Sequence, residues 1–362
     1  MEIKEYKCPN CSGAVQFDSS SQKMKCPYCD TEFEIEALAE YQRELAQPEN
    51  DRFEVDTGRA ASAWEEADLG DLSTGCCPSC GAELIGDQNT IATVCPCCGN
   101  TQIVKQRVEG LLKPEYVIPF QLEKKDAVEA LKNFYQGKRL LPDFFKEENR
   151  INEIQGLYVP FWLFDAKSQG RISYKATRIM KWSDSTYNYT KTDFYSVLRE
   201  GSLGFEKVPV DGSNKMNDAY MDALEPFDYS KIKEFLTAYL SGFIAEKYDV
   251  DVEASKNRAS KRIKNSLEFQ FSRSVQGYAT VVKEKSSINV EKGKVSYSLF
   301  PVWILNTKYK NTNHQFIMNG QSGFIAGKLP VDKAKAFKYM FFFTAGIGAV
   351  LTAIIQLLRI FL

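Results

Sequence analysis

Two apolar runs of similar design, LYVPFWLFDA at 157–166 and YSLFPVWILNT at 297–307, interrupt a chain that otherwise mixes polar and apolar positions. Each predicts a buried strand with its proline at an end or a bulge. RISYKATRI and the alternating YNYTKTDFYSVL predict further antiparallel strands. YVIPFQL at 116–122 predicts a strand leading into a helix over KKDAVEALKNFY, where Val128, Leu131 and Tyr135 share a face. The clearest helical period lies at 230–246. There Ile232, Phe235, Leu236, Tyr239, Leu240, Phe243 and Ile244 recur at helical spacing, which predicts a core helix laid on the sheet. Phe33, Leu38, Tyr41 and Leu45 predict a solvated helix, followed by a flexible linker from 48 to 74.

The C-terminal pattern is different in kind. Positions 339–358 read YMFFFTAGIGAVLTAIIQLL, twenty residues without a charge, and about 20 suffice to cross a bilayer's hydrocarbon core. Lys328, Lys333, Lys335 and Lys338 precede the run and Arg359 follows it. The positive-inside rule then predicts a single-pass cell-membrane protein with its N-terminal bulk in the cytoplasm. Ala345, Ala349 and Ala353, with Gly346 and Gly348 beside them, form a small-residue stripe on which another helix could pack.

With 362 residues, 44% hydrophobic and 26% charged, the chain has length for one sizeable core plus appended modules. Its net charge of -1 argues against an overall nucleic-acid footprint. Between 31 and 75, however, acidic residues outnumber basic ones thirteen to three.

All ten cysteines fall in the first hundred residues, behind an opening, MEIKEYKC, that lacks the pattern of a secretory signal. Paired CxxC motifs in a reducing compartment read as metal ligands or redox centres rather than bridges. Cys8, Cys11, Cys26 and Cys29 repeat in register as Cys77, Cys80, Cys95 and Cys98, with fourteen residues between the pairs each time. Cys76 and Cys97 stand outside that register. Four pairs at matched spacing predict two closed, structural four-thiolate sites rather than a thioredoxin-type motif. Zinc suits them, and a sulfur tetrahedron also accepts a single iron. Cys11→Ser or Cys80→Ser is then expected to unfold only its own ribbon, and Cys97→Ser to leave the metal content unchanged.

The predicted fold is multi-domain. Ribbon one spans 1–33, an acidic helix and linker 34–74, ribbon two 75–105, a β-rich α+β domain 106–336, and a transmembrane anchor 337–362.

No catalytic constellation emerges. His314 is the one histidine, no GxSxG elbow is present, and GQSGFIAGKL at 320–329 fails as a phosphate loop at Ser322 and Leu329. Its glycines predict hairpin turns instead. An enzyme would need a pocket lined by Asp165, Asp193, Asp211 or His314.

Two CPxC ribbons followed by VIPF, KRLLPDFF, GLYVPFWLFDA, PVDGS, LEPFDYS, PVWILNTKY, MNGQSG and LPVDK, then a terminal membrane helix, resemble the bacterial TFIIB-type zinc-ribbon-containing membrane proteins. The resemblance covers nearly the whole chain. Some members are labelled replication factor Y or superfamily II helicase, yet a helicase motor needs the nucleotide loop that this sequence lacks. Others are encoded near phage shock protein A and flotillin-like proteins. The resemblance implies a membrane-associated scaffold in the envelope-stress neighbourhood.

The expected function is therefore a non-enzymatic membrane adaptor that recruits protein partners, phage shock protein A or flotillin-like proteins among them. The alternative is a membrane-tethered nucleic-acid binder using Lys256, Arg258, Lys261, Arg262 and Lys264, with Lys4, Lys7, Lys23 and Lys25 of the first ribbon.

Overall fold

The computed structural model describes residues 6–11, 13–46, 52–56, 62–64, 72–87, 94–106 and 112–361. Lys4 and most of the linker predicted at 48–74 lie outside the described residues. Two four-cysteine clusters, a β-rich α+β body and one apolar C-terminal helix are all present. The chain divides into two compact units: Met1–Asp56, Phe164–Val208 and Lys256–Lys294 form the first, and Thr57–Leu163, Pro209–Ser255 and Val295–Leu362 the second.

In the first unit the strands Gln16–Asp18, Lys23–Lys25 and Glu32–Phe33 pair antiparallel in that order. The predicted helix follows as Ile35–Ala46. It is more than a solvated helix, because Leu38 is only 2% exposed and joins Cys8, Val15 and Cys26 in a common core. So small a ribbon cannot close an apolar core from its own strands. Part of the predicted linker is also ordered: Arg52–Asp56 is a strand, pairing in parallel with 289–294.

The unit's main sheet runs through 188–208, 164–183, 280–294 and Arg52–Asp56 in that order. The basic stretch around 256–264 lies within a helix, Val252–Ser274. Ile263 and Leu267 bury against Ile172, Tyr174 and Val197 of the sheet, and Ala259, one turn earlier on the helix, is buried too.

In the second unit the sheet order is Lys233–Glu234, Tyr116–Val117, 295–309, 155–163, Ile244–Glu246, Glu83–Asp87, Leu72–Cys76, Val104–Gln106. The second ribbon is thus part of a larger sheet. Leu84 stands opposite Glu246, and Ile85 opposite Ala245. Thr312–Asn319 pairs with 302–309, and Ile325–Gly327 folds back on it, so Gly320 and Gly323 lie in the hairpin connection as expected while Gly327 is part of the returning strand.

The apolar run around 302 has a simple cause. Val302 and Ile304 face one core with Phe161 and Leu84, while Trp303 and Leu305 face another with Leu131 and Tyr135. A strand covered on both sides has no position left for polar alternation. The helix Lys124–Tyr135, on its predicted residues, supplies that second cover.

Pro160 and Pro301 lie inside their strands, Gln155–Ser183 and Thr280–Tyr309, so neither takes the strand end, one of the two positions expected for it. Each carbonyl still accepts a hydrogen bond, from Gly212 N at 2.8 Å and Gly320 N at 2.9 Å, so only the missing donor is lost.

The helix predicted at 230–246 does not form. The segment is a 3-10 turn at Tyr229–Lys231, the strand Lys233–Glu234, a second turn at Thr237–Leu240 and the strand Ile244–Glu246. Leu236, expected on the buried face, is 61% exposed, and Gly242 turns the chain at φ 77°. Strand partners at Tyr116 and Leu157 supply backbone hydrogen bonds that override the local helical period.

Candidate metal centres and docking groove

The four knuckles share one hydrogen-bond plan. Cys26 N, Cys77 N and Cys95 N each donate to the carbonyl five residues on, and Cys8 N donates to Gly13 O in the same way, at 2.7 to 3.0 Å. The residue four places after the first cysteine donates back at 2.8 to 2.9 Å for Asp30, Gly81 and Gly99. That position is left-handed, with φ 54°, 71° and 77°. Glycine and aspartate are residues that tolerate this conformation.

The turns aim their sulfurs at one another. Within each quartet all four sulfurs lie within 4.8 Å: Cys8, Cys11, Cys26 and Cys29 in one, Cys77, Cys80, Cys95 and Cys98 in the other. Opposed pairs stand 3.6 Å (Cys8, Cys29), 3.4 Å (Cys11, Cys26), 3.6 Å (Cys77, Cys98) and 3.7 Å (Cys80, Cys95) apart. A disulfide would need about 2.05 Å, whereas a tetrahedron with bonds of about 2.3 Å has an edge of about 3.8 Å. The quartets therefore fit a thiolate-bound metal ion with every ligand position filled.

Asn10 N donates to Cys8 Sγ at 3.3 Å. Protons are shared unequally within each quartet. Hydrogen bonds from the Thr31 hydroxyl and backbone hold Cys29 down to about 6. The Cys97 thiol holds Cys95 down to about 5, against the desolvation that opposes it. Each quartet would hold a metal ion through four thiolates, so its affinity would depend on pH through the protons the thiols carry.

Cys76 and Cys97 stay outside both quartets. Cys97 is nevertheless buried, and its loop is tied down by Gln315, which donates to Cys97 O, and by Asn306, which donates to Pro96 O.

A cavity of about 240 Å³ opens beside the first quartet, inside the first unit. Its apolar wall includes Phe33, Leu38, Phe194 and Tyr195. The lysines on its rim are engaged: Lys175 Nζ donates to Pro9 O at 2.8 Å, and Lys23 pairs with Glu34 at 2.8 Å. Glu284 is different. Its Oε1 accepts from Tyr41 OH at 2.9 Å, while its Oε2 is buried without a hydrogen-bond partner. Burial and this carboxylate together push the Tyr41 phenol up. The side chains of Glu32 and Glu284 line the cavity and give it an acidic character. Sequence reading missed this groove, since Tyr41 and Glu284 lie 243 positions apart.

The other predicted residues fall as follows. Lys256, Arg258, Arg262 and Lys264 are half-buried and each already has a partner, while Lys261 is exposed. Lys25 lies 3.7 Å from Asp30. Asp165 accepts from Lys207 N at 2.7 Å, and Asp193 pairs with Lys191 at 3.1 Å. Asp211 is buried. His314 packs edge-on against Phe145, and burial lowers its basicity. None of these contacts joins one of the four candidate catalytic residues to another.

No family model matches the chain, and no solved structure matches it significantly. Over 333 residues it is 34% identical to the uncharacterized protein YdjG of Bacillus subtilis (strain 168), covering 92% of each chain.

Proposed function

This chain belongs to the family of YdjG, and we propose that it is a membrane-anchored zinc-ribbon adaptor that recruits a protein partner to the cytoplasmic membrane face. The groove beside the first quartet carries this reading. It pairs an aromatic wall with the carboxylate side chains Glu32 and Glu284 in its lining, a combination suited to a lysine or arginine side chain presented by another protein. Zinc in both quartets holds the ribbon turns in shape, and the helix Lys333–Phe361 anchors the chain. The setting in envelope stress, with phage shock protein A or flotillin-like proteins as partners, rests on the resemblance of the motifs.

A photo-reactive amino acid in place of Phe194 tests the groove in cells. The expected crosslink maps to a partner peptide carrying a basic residue and disappears with Glu284→Lys. A crosslink unchanged by Glu284→Lys, or one to nucleic acid, would reject the adaptor. Metal analysis of the purified protein should return two equivalents of zinc, and iron would show as visible absorption.

The nucleic-acid reading has the cations of the helix Val252–Ser274 in its favour. Four of the five are occupied within the fold, and Lys23 and Lys25 are ion-paired, which favours the adaptor.

A further inference from the structure

The loop 137–142, GKRLLP, is clamped to the first turn of the C-terminal helix. Asp332 N donates to Leu140 O at 2.8 Å, and Lys335 Nζ donates to Leu141 O at 3.0 Å and to Asp143 Oδ1 at 2.6 Å. Asp332 also caps the helix, accepting from Ala334 N at 2.9 Å and Lys335 N at 3.2 Å. Both carboxylates at this end are thereby occupied. Lys138, Arg139, Lys333, Lys335 and Lys338 stand against Asp332 and Asp143, five cations to two carboxylates, so this end carries an excess of three positive charges.

Arg139 does more than add charge. It lines a groove of about 520 Å³ whose other walls all come from the helix, from Tyr339 through Phe343 and Gly346 to Leu351. A Cβ built on Gly346 would meet nothing within 4 Å, so the groove is open there. The Arg139 guanidinium has no hydrogen-bond or ion-pair partner among the described residues.

The dimensions identify the guest. Tyr339 to Leu351 at 1.5 Å per residue spans about 18 Å, close to the half-thickness of a hydrocarbon core of about 30 Å. Arg139 is the cation among the lining residues, and the rest are aromatic, aliphatic or glycine. A phospholipid has this layout, with an anionic head joined to a chain about one leaflet long.

We propose that Arg139 and the face of the helix around Gly346 form a binding site for one anionic phospholipid, whose phosphate meets Arg139 and whose acyl chain lies along the helix. The site rests on the membrane-anchored reading. It sets the loop 137–142 at the level of the headgroups, where Leu140, 38% exposed, enters the interface.

The full-length chain is reconstituted in nanodiscs of phosphatidylcholine with phosphatidylglycerol as a minor component, and lipids retained after mild delipidation are counted by native mass spectrometry. One phosphatidylglycerol per chain is expected to persist. Arg139→Gln should weaken that preference about fivefold, the share of one cation near an anionic surface. Gly346→Leu should also weaken retention by filling the groove, whereas Lys181→Gln should not change it. Carbonate extraction of membranes from the same cells reads the anchor independently. A chain that stays in the pellet but shows no preference, or keeps it in Arg139→Gln, overturns the lipid site alone. A chain released by carbonate overturns the anchor and the lipid site together.

Discussion

The Ser213 hydroxyl lies 2.8 Å from Glu246 Oε1, and both side chains are 1% exposed. The other carboxylate oxygen of Glu246 has no hydrogen-bond partner. Burial is the main reason the carboxyl rises from its ordinary 4.5 to about 8; the Ser213 bond opposes the shift, and Asp249 adds to it.

That shift makes the second unit pH-sensitive. In the unfolded chain the acid ionises near 4.5, while in the fold it keeps its proton to about 8. Its stabilising contribution is therefore complete below pH 4.5 and is lost as pH rises through 8, at about 1.4 kcal/mol per pKa unit. Thermal melts from pH 5 to 9 should show wild type losing stability with rising pH faster than Glu246→Gln. Parallel slopes would assign the proton elsewhere.

The two ribbons should respond differently to ligand loss. Cys11→Ser removes one metal equivalent and loosens the small core around Leu38. Cys80→Ser also removes one equivalent, but Cys77, Leu84 and Cys95 belong to the core that includes Phe161 and Phe300. The second variant should therefore lower the melting temperature of the larger unit, beyond the single-ribbon effect expected from spacing. Cys97→Ser should retain both equivalents. Metal analysis with hydrogen exchange separates these outcomes.

Gly293 is held by a close approach rather than by its backbone angles. A Cβ there would collide with the carbonyl of Asp165 on the neighbouring strand. Gly293→Ala should destabilise the first unit by about 1–3 kcal/mol. Gly204→Ala, with nothing within 4 Å, should be nearly neutral. Urea unfolding measures both.

Removal of 337–362 should shift the chain from the membrane pellet to the soluble fraction, because the apolar helix is the segment long enough to span among the described residues. Retention in the pellet would assign membrane binding to the remaining body.

Spacing alone made both four-cysteine quartets legible. A CxxC turn is local, and the repeat of fourteen residues between its halves identified all eight sulfurs of the quartets and set Cys76 and Cys97 aside. The helices at Lys124–Tyr135 and Lys333–Phe361 were legible for the same reason, since a helix closes its hydrogen bonds within itself. The period at 230–246 pointed to a helix that does not form, and the basic pattern of 256–264 drew attention away from the apolar face of Ala259, Ile263 and Leu267. In both places distant strands decided which backbone groups were paired and which side chains were covered.

The sequence by itself determined the thiolate turns, the apolar strands and the long apolar helix, because each is specified by residues within a few turns or by a short repeat. Only the tertiary structure joined Leu84 to Glu246, set Tyr41 against Glu284, and brought Arg139 beside Tyr339. Those placements depend on hydrogen bonds and burial between segments far apart in the chain, which no local pattern encodes.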